Sequence, residues 1–185
     1  MGKTRPLIII VVGHTAAKPG ALAVAPLSIH EYKYNSNLAN MIANEIHKSF
    51  EFVVMFRDGL TIEETYQKVG KLSPDACIEL HFNSSANPNA FGTETLCGEK
   101  GVPFATMIQT AMCDALRRTD KGNRGVKVLR TNADRGFASV SRLRVPSVIV
   151  EPFFGSSQSD AELGLRSKQV IAEAIHKALD VWFYE

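Results

Sequence analysis

The most restrictive feature of the sequence is an unbroken apolar run, Leu7–Val12, that passes directly into Gly13 and His14. Six apolar residues in a row are typical of a strand buried on both faces, because a half-exposed strand alternates apolar and polar positions. Such strands belong mostly to parallel sheets covered by helices. The run therefore predicts an α/β fold, with a histidine at the carboxyl end of its first strand.

Similar patterns recur along the chain and alternate with helical ones. Strands are predicted, strongest first, at 76–82, 145–154, 51–56, 92–97, around 126–129 and around 137–140. Apolar residues at helical spacing predict helices over 32–50 and 102–116. A C-terminal helix is predicted to begin at Ser159, which has Glu162 at capping-box spacing. The alternation predicts a single three-layer α/β domain, with a mostly parallel central sheet of about six strands flanked by helices.

Composition narrows the classes of partner. The chain has 185 residues and a formal net charge of +2, too mild to require nucleic acid or an anionic membrane. No apolar stretch approaches the roughly 20 residues that a membrane helix needs. Three cysteines without C-x-x-C spacing argue against a disulfide framework or a thiolate metal cage. We therefore expect one soluble domain with no nucleic-acid partner and no membrane span.

Polar side chains collect where the predicted strands end. His14 follows the first strand, His81 ends "CIELH", Glu151 lies near the end of "PSVIVEPFF", and Glu31 opens the first helix. In sheets of this kind, ligands bind beyond the carboxyl ends of the strands. Two histidines and a carboxylate with an open fourth position are a standard catalytic zinc set, and a further carboxylate can serve as base. The pattern indicates metal-assisted hydrolysis.

Each of these residues also has a simpler explanation. A histidine at a strand end is often only a hydrogen-bonded turn residue, and Glu31 could merely favour the positive end of a helix dipole. Glu151 is different, because a carboxylate among bulky apolar residues needs either a function or a firm partner. The alternative there is a buried salt bridge to an arginine such as Arg124 or Arg142.

The order of several short motifs resembles a known family. The segments "VVGHTAAKPGA", "HEYKYN", "CIELHFNSS", "GTETL", "NRGVKVL" and "VPSVIVEPFF" are similar to the zinc-dependent N-acetylmuramoyl-L-alanine amidases, including the catalytic domains of phage endolysins. The resemblance spans nearly the whole chain. Two departures stand out: the first loop lacks the acidic residue before Gly-His and the second glycine after it that many members carry, and Glu79 stands where a serine is common.

The resemblance implies a specific reaction. One Zn²⁺ per chain would be held by His14, Glu31 and His81, and Glu151 would be the catalytic carboxylate that moves a proton from water to the departing nitrogen. The bond cut would join the lactyl group of muramic acid to L-alanine of the stem peptide. This substrate follows from the resemblance alone, because the ligand set by itself indicates only metal-assisted hydrolysis.

Further residues are predicted to support the site. Glu79 shares the face of His81 by two-residue alternation, so it could accept an imidazole N–H, or else form a salt bridge to a neighbouring loop. Asn35, from the Glu-x-x-x-Asn pattern, is predicted in the same supporting role. Arg124 and Asn83 are predicted to face the substrate.

His30 and the basic segment around Arg124 leave alternatives open. His30 competes with Glu31 as a ligand, since imidazole is a good zinc donor; we prefer Glu31 and expect His30 on the rim or the substrate side. The segment 117–130 carries six basic residues and would ordinarily be a solvated loop, yet Arg124 could grip the acidic stem peptide.

The setting that these features suggest is a compact lytic enzyme. We expect one catalytic domain over 1–185 without a wall-binding domain, a monomer, and peptidoglycan as partner. Lys3 and Arg5 before the apolar run resemble a secretory signal, but the run reads better as a buried strand. We therefore expect cytoplasmic synthesis without a leader and release to the wall as in a phage endolysin.

Three other classes of protein remain as alternatives. The first is another zinc hydrolase, such as an aminoacylase or a carboxypeptidase-like enzyme. The second is a cell-wall binding module that keeps the fold without turnover. A nucleotide-binding domain is disfavoured, because neither G-x-G-x-x-G nor G-x-x-x-x-G-K-[ST] follows the first strand.

Overall fold

The computed structural model describes residues 5–44 and 49–185. These residues form six strands and six α-helices. The strands are β1 (Leu7–Val12), β2 (Glu51–Met55), β3 (Ala76–Leu80), β4 (Thr93–Cys97), β5 (Asn123–Val128) and β6 (Ser147–Glu151). The helices are α1 (Glu31–Ala43), α2 (Ile62–Lys71), α3 (Val102–Ala115), α4 (Phe137–Ser141), α5 (Gln158–Arg166) and α6 (Lys168–Tyr184). No helix in the described ranges is both long and apolar enough to cross a bilayer.

The strands form one sheet in the order β2-β1-β3-β6-β4-β5, which confirms the α/β fold and the mostly parallel sheet. β2, β1, β3 and β6 run parallel, whereas β4 is antiparallel to β6 and β5 follows β4. The chain returns from β3 to β4 without a crossover helix, so β4 must run in the opposite direction. The start of β4 therefore lies beside the end of β6, and Glu94 is paired with Glu151.

Helices cover both faces of the sheet, and β1 is buried between them. Ile8 and Ile10 join the larger core formed with α1, α3 and α6. Ile9 and Val11 pack on the opposite face with Tyr66 of α2. All four β1 residues are fully buried, as the apolar run predicts.

The first helix is shorter than its predicted range of 32–50. α1 ends at Ala43, and the backbone N–H of Asn44 bonds to the carbonyl oxygen of Asn40. Residues 45–48, including the predicted helical positions Ile46 and His47, lie outside the described residues. Phe50 lies just before β2, so its assignment to the helix is wrong.

The sequence patterns missed α2, which covers the smaller core. Thr61 is its N-cap: the hydroxyl accepts from the Glu64 backbone N–H at 3.2 Å, and the Glu64 carboxylate accepts from the Thr61 backbone N–H at 2.8 Å. This reciprocal capping box is readable as Thr-x-x-Glu. The helix buries only Thr65, Tyr66 and Val69, too short an apolar stripe to reveal a period.

The strand predicted around 137–140 is wrong, because these residues form α4. Gly136 precedes the helix with φ of 93°, a left-handed conformation that glycine adopts freely, so the extended path ends there. Ser139 and Val140 are buried, which explains the apolar signal without a strand.

The prediction of a single C-terminal helix capped at Ser159 is also wrong. Ser157 is the N-cap of α5, and Ser159 lies inside the first turn. A break at Ser167 then separates α5 from α6. Asp160 in the first turn binds the neighbouring backbone, since its Oδ2 accepts the N–H groups of Gly92 and Phe154, both at 2.9 Å. These two hydrogen bonds tie the end of β6 to the start of β4.

Candidate metal centre and active site

The loop after β1 presents His14 in a constrained conformation. His14 has φ of 65°, a left-handed conformation that is uncommon outside glycine and that often accompanies functional sites. Gly20, with φ of 76°, closes over it from the far side of the loop. A methyl group at Gly20 would lie 2.6 Å from His14 Cδ2 and 2.8 Å from Glu31 Oε2. Only glycine at this position leaves room for the imidazole and the carboxylate.

Asp58, just after β2, holds this loop in place. Its Oδ1 accepts the Ala16 backbone N–H at 2.7 Å, and its Oδ2 accepts the Tyr32 hydroxyl at 2.6 Å. The hydrogen bond from Tyr32 is the main reason that the pKa of Asp58 is lowered. Thr15 and Lys18 add hydrogen bonds within the loop, so its conformation is held both internally and by Asp58.

His14, Glu31 and His81 converge at the carboxyl edge of the sheet. Glu31 lies between the two rings, with Oε2 at 3.0 Å from His14 Nε2 and Oε1 at 2.8 Å from His81 Nδ1. The ring centroids are 5.1 Å apart in an edge arrangement. The backbone N–H of Phe82 also donates to Glu31 Oε1 at 3.2 Å. The ligand atoms of all three side chains lie within 4.8 Å of one another, so these residues could hold a metal ion.

The charges in the cluster are strongly coupled. Burial opposes the charged form of Glu31, but contacts with His14 and His81 outweigh it and lower the Glu31 pKa to about 2. Burial likewise favours neutral His81, yet Glu31 and Glu79 outweigh it and raise the His81 pKa to about 10. His81 therefore carries a proton at its contact with Glu31. A metal cation that binds between this imidazole and carboxylate would have to displace that proton.

The hydrogen bonding of His14, besides the chemical types of the three side chains, fits a metal ion. His14 Nε2 is buried and makes no hydrogen bond within the described part of the chain, although Glu31 Oε2 is 3.0 Å away. A buried ring nitrogen without a hydrogen bond is costly unless another partner satisfies it. Two imidazole nitrogens and one carboxylate oxygen are donors that zinc accepts.

Glu79 supports His81 from the side away from Glu31. Its Oε1 lies 2.9 Å from His81 Nε2 and 3.2 Å from Arg57 Nη1. The Tyr66 hydroxyl donates to Oε2 at 2.5 Å. Burial alone would raise the Glu79 pKa, but the contact with His81 leads the effects that lower it to about 2. The imidazole contact and the salt bridge, which the sequence offered as alternatives, are both present.

Glu151 ends β6 beside this cluster, on the β6 face that also carries Ile149. Burial is the main cause that raises the Glu151 pKa to about 7; the nearby charges of Glu94 and Glu31 raise it further, while His81 and Arg135 lower it. A carboxyl group with this pKa can both accept and return a proton near neutral pH.

The two arginines considered as partners of Glu151 bind other carboxylates. Arg124 Nε donates to Glu94 Oε2 at 2.6 Å, and Arg142 Nη1 donates to Glu63 Oε1 at 3.0 Å. Glu151 itself forms no ion pair within the described residues. A salt bridge therefore does not account for its burial.

Three other predicted residues, Asn83, Arg124 and His30, lie outside the cluster and contact residues other than its three members. The Asn83 amide donates to Glu94 Oε1 at 2.6 Å. The guanidinium of Arg124 lies 4.8 Å above the ring of Phe154. His30 is the exposed N-cap of α1, and its Nδ1 lies 3.3 Å from the Gly20 carbonyl oxygen rather than in the cluster.

Asn35 lies one turn of α1 beyond Glu31 and is fully buried. Neither its amide nitrogen nor its amide oxygen makes a hydrogen bond within the described residues. Its predicted supporting role stays a prediction.

Four residues of the site were not predicted: Arg57, Tyr66, Glu94 and Arg135. Arg57 follows β2 by two positions, so the rule about carboxyl ends would have found it had it been applied to that strand. Glu94 lies in "GTETL", but only the antiparallel pairing of β4 brings it to Glu151. Tyr66 depended on α2, and Arg135 lies outside the basic segment 117–130 that the sequence pattern singled out.

Two cavities open beside the cluster, and His14 and Arg135 line both. The first, about 620 Å³, extends past His81, Lys18 and Ile149 towards Leu60 and Ile62. The second, about 500 Å³, lies beside Glu31 and is lined by Asn83, Ser84 and Ser85. A substrate bound across the cluster would place its two halves in different surroundings.

Comparison with known proteins identifies the family. The N-acetylmuramoyl-L-alanine amidase family model (Amidase_3) matches residues 8–181. The chain belongs to this family and is therefore an enzyme that acts on peptidoglycan. A comparison with curated protein sequences gave no match.

Solved structures of amidases share the fold over nearly the full chain. N-acetylmuramoyl-L-alanine amidase AmiC2 of Nostoc punctiforme is 19% identical with a TM-score of 0.84, covering 100% of both chains. An N-acetylmuramoyl-L-alanine amidase from Clostridium difficile 630 is 18% identical with a TM-score of 0.83, covering 98% of this chain and 99% of its own. The catalytic domain of the CD27L endolysin, which targets Clostridia difficile, is 26% identical with a TM-score of 0.75, covering 95% and 97%.

Proposed function

We propose that this chain hydrolyses the amide bond between the N-acetylmuramoyl lactyl group and L-alanine of the stem peptide, with one zinc ion held by His14, Glu31 and His81. The observation that carries the proposal is the convergence of these three side chains, from separate segments, on one point beside Glu151. Family membership supplies the class of reaction and the polymer.

Zinc bound here would polarise the amide carbonyl and activate a water molecule. Residues of the chain itself orient the side chains that would bind the metal. Glu31 faces both imidazoles, and Glu79 engages His81 Nε2, so the Nδ1 atom of His81 is directed towards Glu31. Fixing the ring by a carboxylate behind it selects the tautomer and increases the basicity of the ligating nitrogen.

Glu151 is the proposed general base and acid. As carboxylate it accepts a proton from the attacking water while the new C–O bond forms. It then returns that proton to the L-alanine nitrogen as the C–N bond breaks, because an amine leaves an amide readily only when protonated. The free carboxyl group of the lactyl moiety and an N-terminal L-alanine are the products.

The pH dependence of the rate is expected to follow Glu151. Its pKa, raised to about 7, means that the carboxylate is lost as the pH falls, so kcat should decrease on the acid side of neutrality. A bound cation would lower this pKa, so the decline begins at or below pH 7. Steady-state rates between pH 5 and 8 measure it.

The control for that profile is a pair of substitutions. Glu94→Gln removes a like charge that raises the Glu151 pKa, so the acid limb should move to lower pH. Glu63→Gln, at an exposed position of α2, should leave it in place. A limb that is unchanged in Glu94→Gln would assign the titration to another group.

The contact behind His81 predicts a loss of metal affinity. Glu79→Gln keeps the shape but loses the acceptor charge at His81 Nε2, and we expect zinc affinity to fall about 10–100-fold. Competition with a chelator of known affinity measures this without reference to activity. Glu63→Gln is again the control, and equal affinities in the two variants would make Glu79 merely structural.

Product analysis tests the function itself. Purified protein incubated with sacculi should release new N-terminal L-alanine without new reducing sugars, and it should contain zinc in stoichiometric amount. Reducing sugars would indicate a glycosidase. Hydrolysis of small acyl-amino acids with intact sacculi would indicate the aminoacylase alternative, and binding without release would indicate a non-catalytic module.

The likeness to the CD27L catalytic domain supports an endolysin-type use of this activity. In that role the protein should lyse suspended cells whose walls are exposed. The loss of turbidity after external addition measures this, and digestion of isolated sacculi without lysis of such cells would argue against it.

A further inference from the structure

The two cavities beside the cluster differ in charge. Arg135 lies at their shared boundary, and Lys18 adds a second cation to the rim of the first cavity, together with apolar side chains. In the second cavity the carboxylate Glu31 faces Arg135, and the wall at Asn83, Ser84 and Ser85 carries amide and hydroxyl groups. The only carboxylate that lines the first cavity among the described residues is Glu79. Because Glu79 is occupied by Arg57, Tyr66 and His81, it does not compensate the two cations.

Arg135 is held at the boundary between the cavities by its own segment. Asp134 Oδ2 accepts the backbone N–H groups of Arg130 at 2.7 Å and Thr131 at 2.9 Å. On the other side, a methyl group at Gly136 would lie 2.7 Å from Ile149 Cδ1, so the backbone there packs closely on β6. The residues flanking Arg135 are therefore fixed.

The guanidinium of Arg135 has no hydrogen-bonding or ion-pair partner among the described residues. The residue is exposed and forms no hydrogen bond or ion pair within 5–44 and 49–185. It is nevertheless close enough to Glu151 to affect that carboxyl electrostatically. An unpaired guanidinium on a backbone that is held beside Glu151 suits a substrate carboxylate, which it can bind through two N–H groups.

We propose that the peptide part of the substrate lies in the cavity rimmed by Lys18 and Arg135, and that Arg135 binds the free carboxylate of the acidic residue following L-alanine. The neutral, hydroxyl-rich glycan then occupies the cavity at Asn83. This inference rests on the proposed function and adds the orientation of the substrate and a residue that determines specificity.

Two matched substrates test it: muropeptides in which the carboxylate after L-alanine is either free or amidated. The native enzyme should prefer the free acid by about tenfold in kcat/KM, mainly through KM, since a charge-assisted pair is lost on amidation. Arg135→Gln should abolish the preference, and Arg135→Lys should retain part of it because the charge remains.

Arg130→Gln is the matched control, because Arg130 lies on the same segment but pairs with Glu99 away from both cavities. It should keep the full preference. Any effect of Arg135 on Glu151 changes both substrates equally and cancels in the ratio. An equal preference in the native enzyme and Arg135→Gln, or none in the native enzyme, overturns this proposal alone; failure to cleave either substrate overturns the proposed function with it.

Discussion

Glu151→Gln is expected to lower kcat by about 10²–10⁴ while zinc content and folding stay unchanged. The amide has the size of the carboxylate but cannot accept a proton at neutral pH. Glu151 is well suited to that role, because burial raises its pKa to about 7 and it forms no ion pair within the described residues. Rates of L-alanine release, metal content and thermal unfolding measure the three quantities.

The comparison variant is Arg142→Gln, since Arg142 was the alternative partner of Glu151 and instead binds Glu63 at the surface. It should retain full activity. A Glu151→Gln protein that has lost its zinc, or whose KM rises while kcat is preserved, would contradict a proton-transfer role and favour a structural or substrate-binding one.

The convergence of His14, His81 and Glu151 was predictable, because each follows or ends a strand whose run of apolar residues predicts burial. Parallel strands bring their carboxyl ends to one edge, so a polar residue there is a candidate for the same site. Glu31 was within reach by the same logic, because the helix that follows β1 begins at that edge. Their roles are still to be tested.

The surroundings of the cluster were less predictable, because they depend on elements with weak patterns. α2 has a readable capping box but a short apolar stripe, and without it Tyr66 and its contact with Glu79 could not be placed. The pairing of Glu94 with Glu151 depends on β4 running antiparallel to β6, and this follows from a β3–β4 connection without a helix rather than from any single residue.

Arg135 is a further residue of the site that could not be predicted from the sequence. The basic segment singled out in the sequence, 117–130, ends before Arg135, and Arg124 within it was the preferred candidate on motif grounds. The fold instead pairs Arg124 with Glu94, and Arg135, between two cavities, pairs with no residue in the described ranges. Which arginine is free is set by tertiary contacts that a single sequence does not encode locally.

Gly13→Ala is expected to lower activity by about 10²-fold through displacement of the ligands, although residue 13 takes no part in the chemistry. A methyl group there would lie 2.4 Å from the Leu80 carbonyl oxygen and 2.6 Å from His81 Cε1 and Nε2. The first contact disrupts the 3.0 Å hydrogen bond from the Gly13 N–H to that carbonyl, and the second moves the imidazole away from Glu79. Overpacking of this kind should also reduce the free energy of unfolding by about 1–3 kcal/mol.

The matched control is Gly70→Ala in α2, where the added methyl group meets only Leu143 Cδ2 at 3.6 Å. An alanine inside a helix should stabilise the protein by about 0.5–1 kcal/mol and leave activity intact. Chelator competition on both variants separates the effects, because Gly13→Ala should lose zinc affinity even at temperatures where it is fully folded. Equal zinc affinity in the two alanine variants would mean that the close approach of β1 and β3 does not position His81, and that the cluster tolerates displacement at its base.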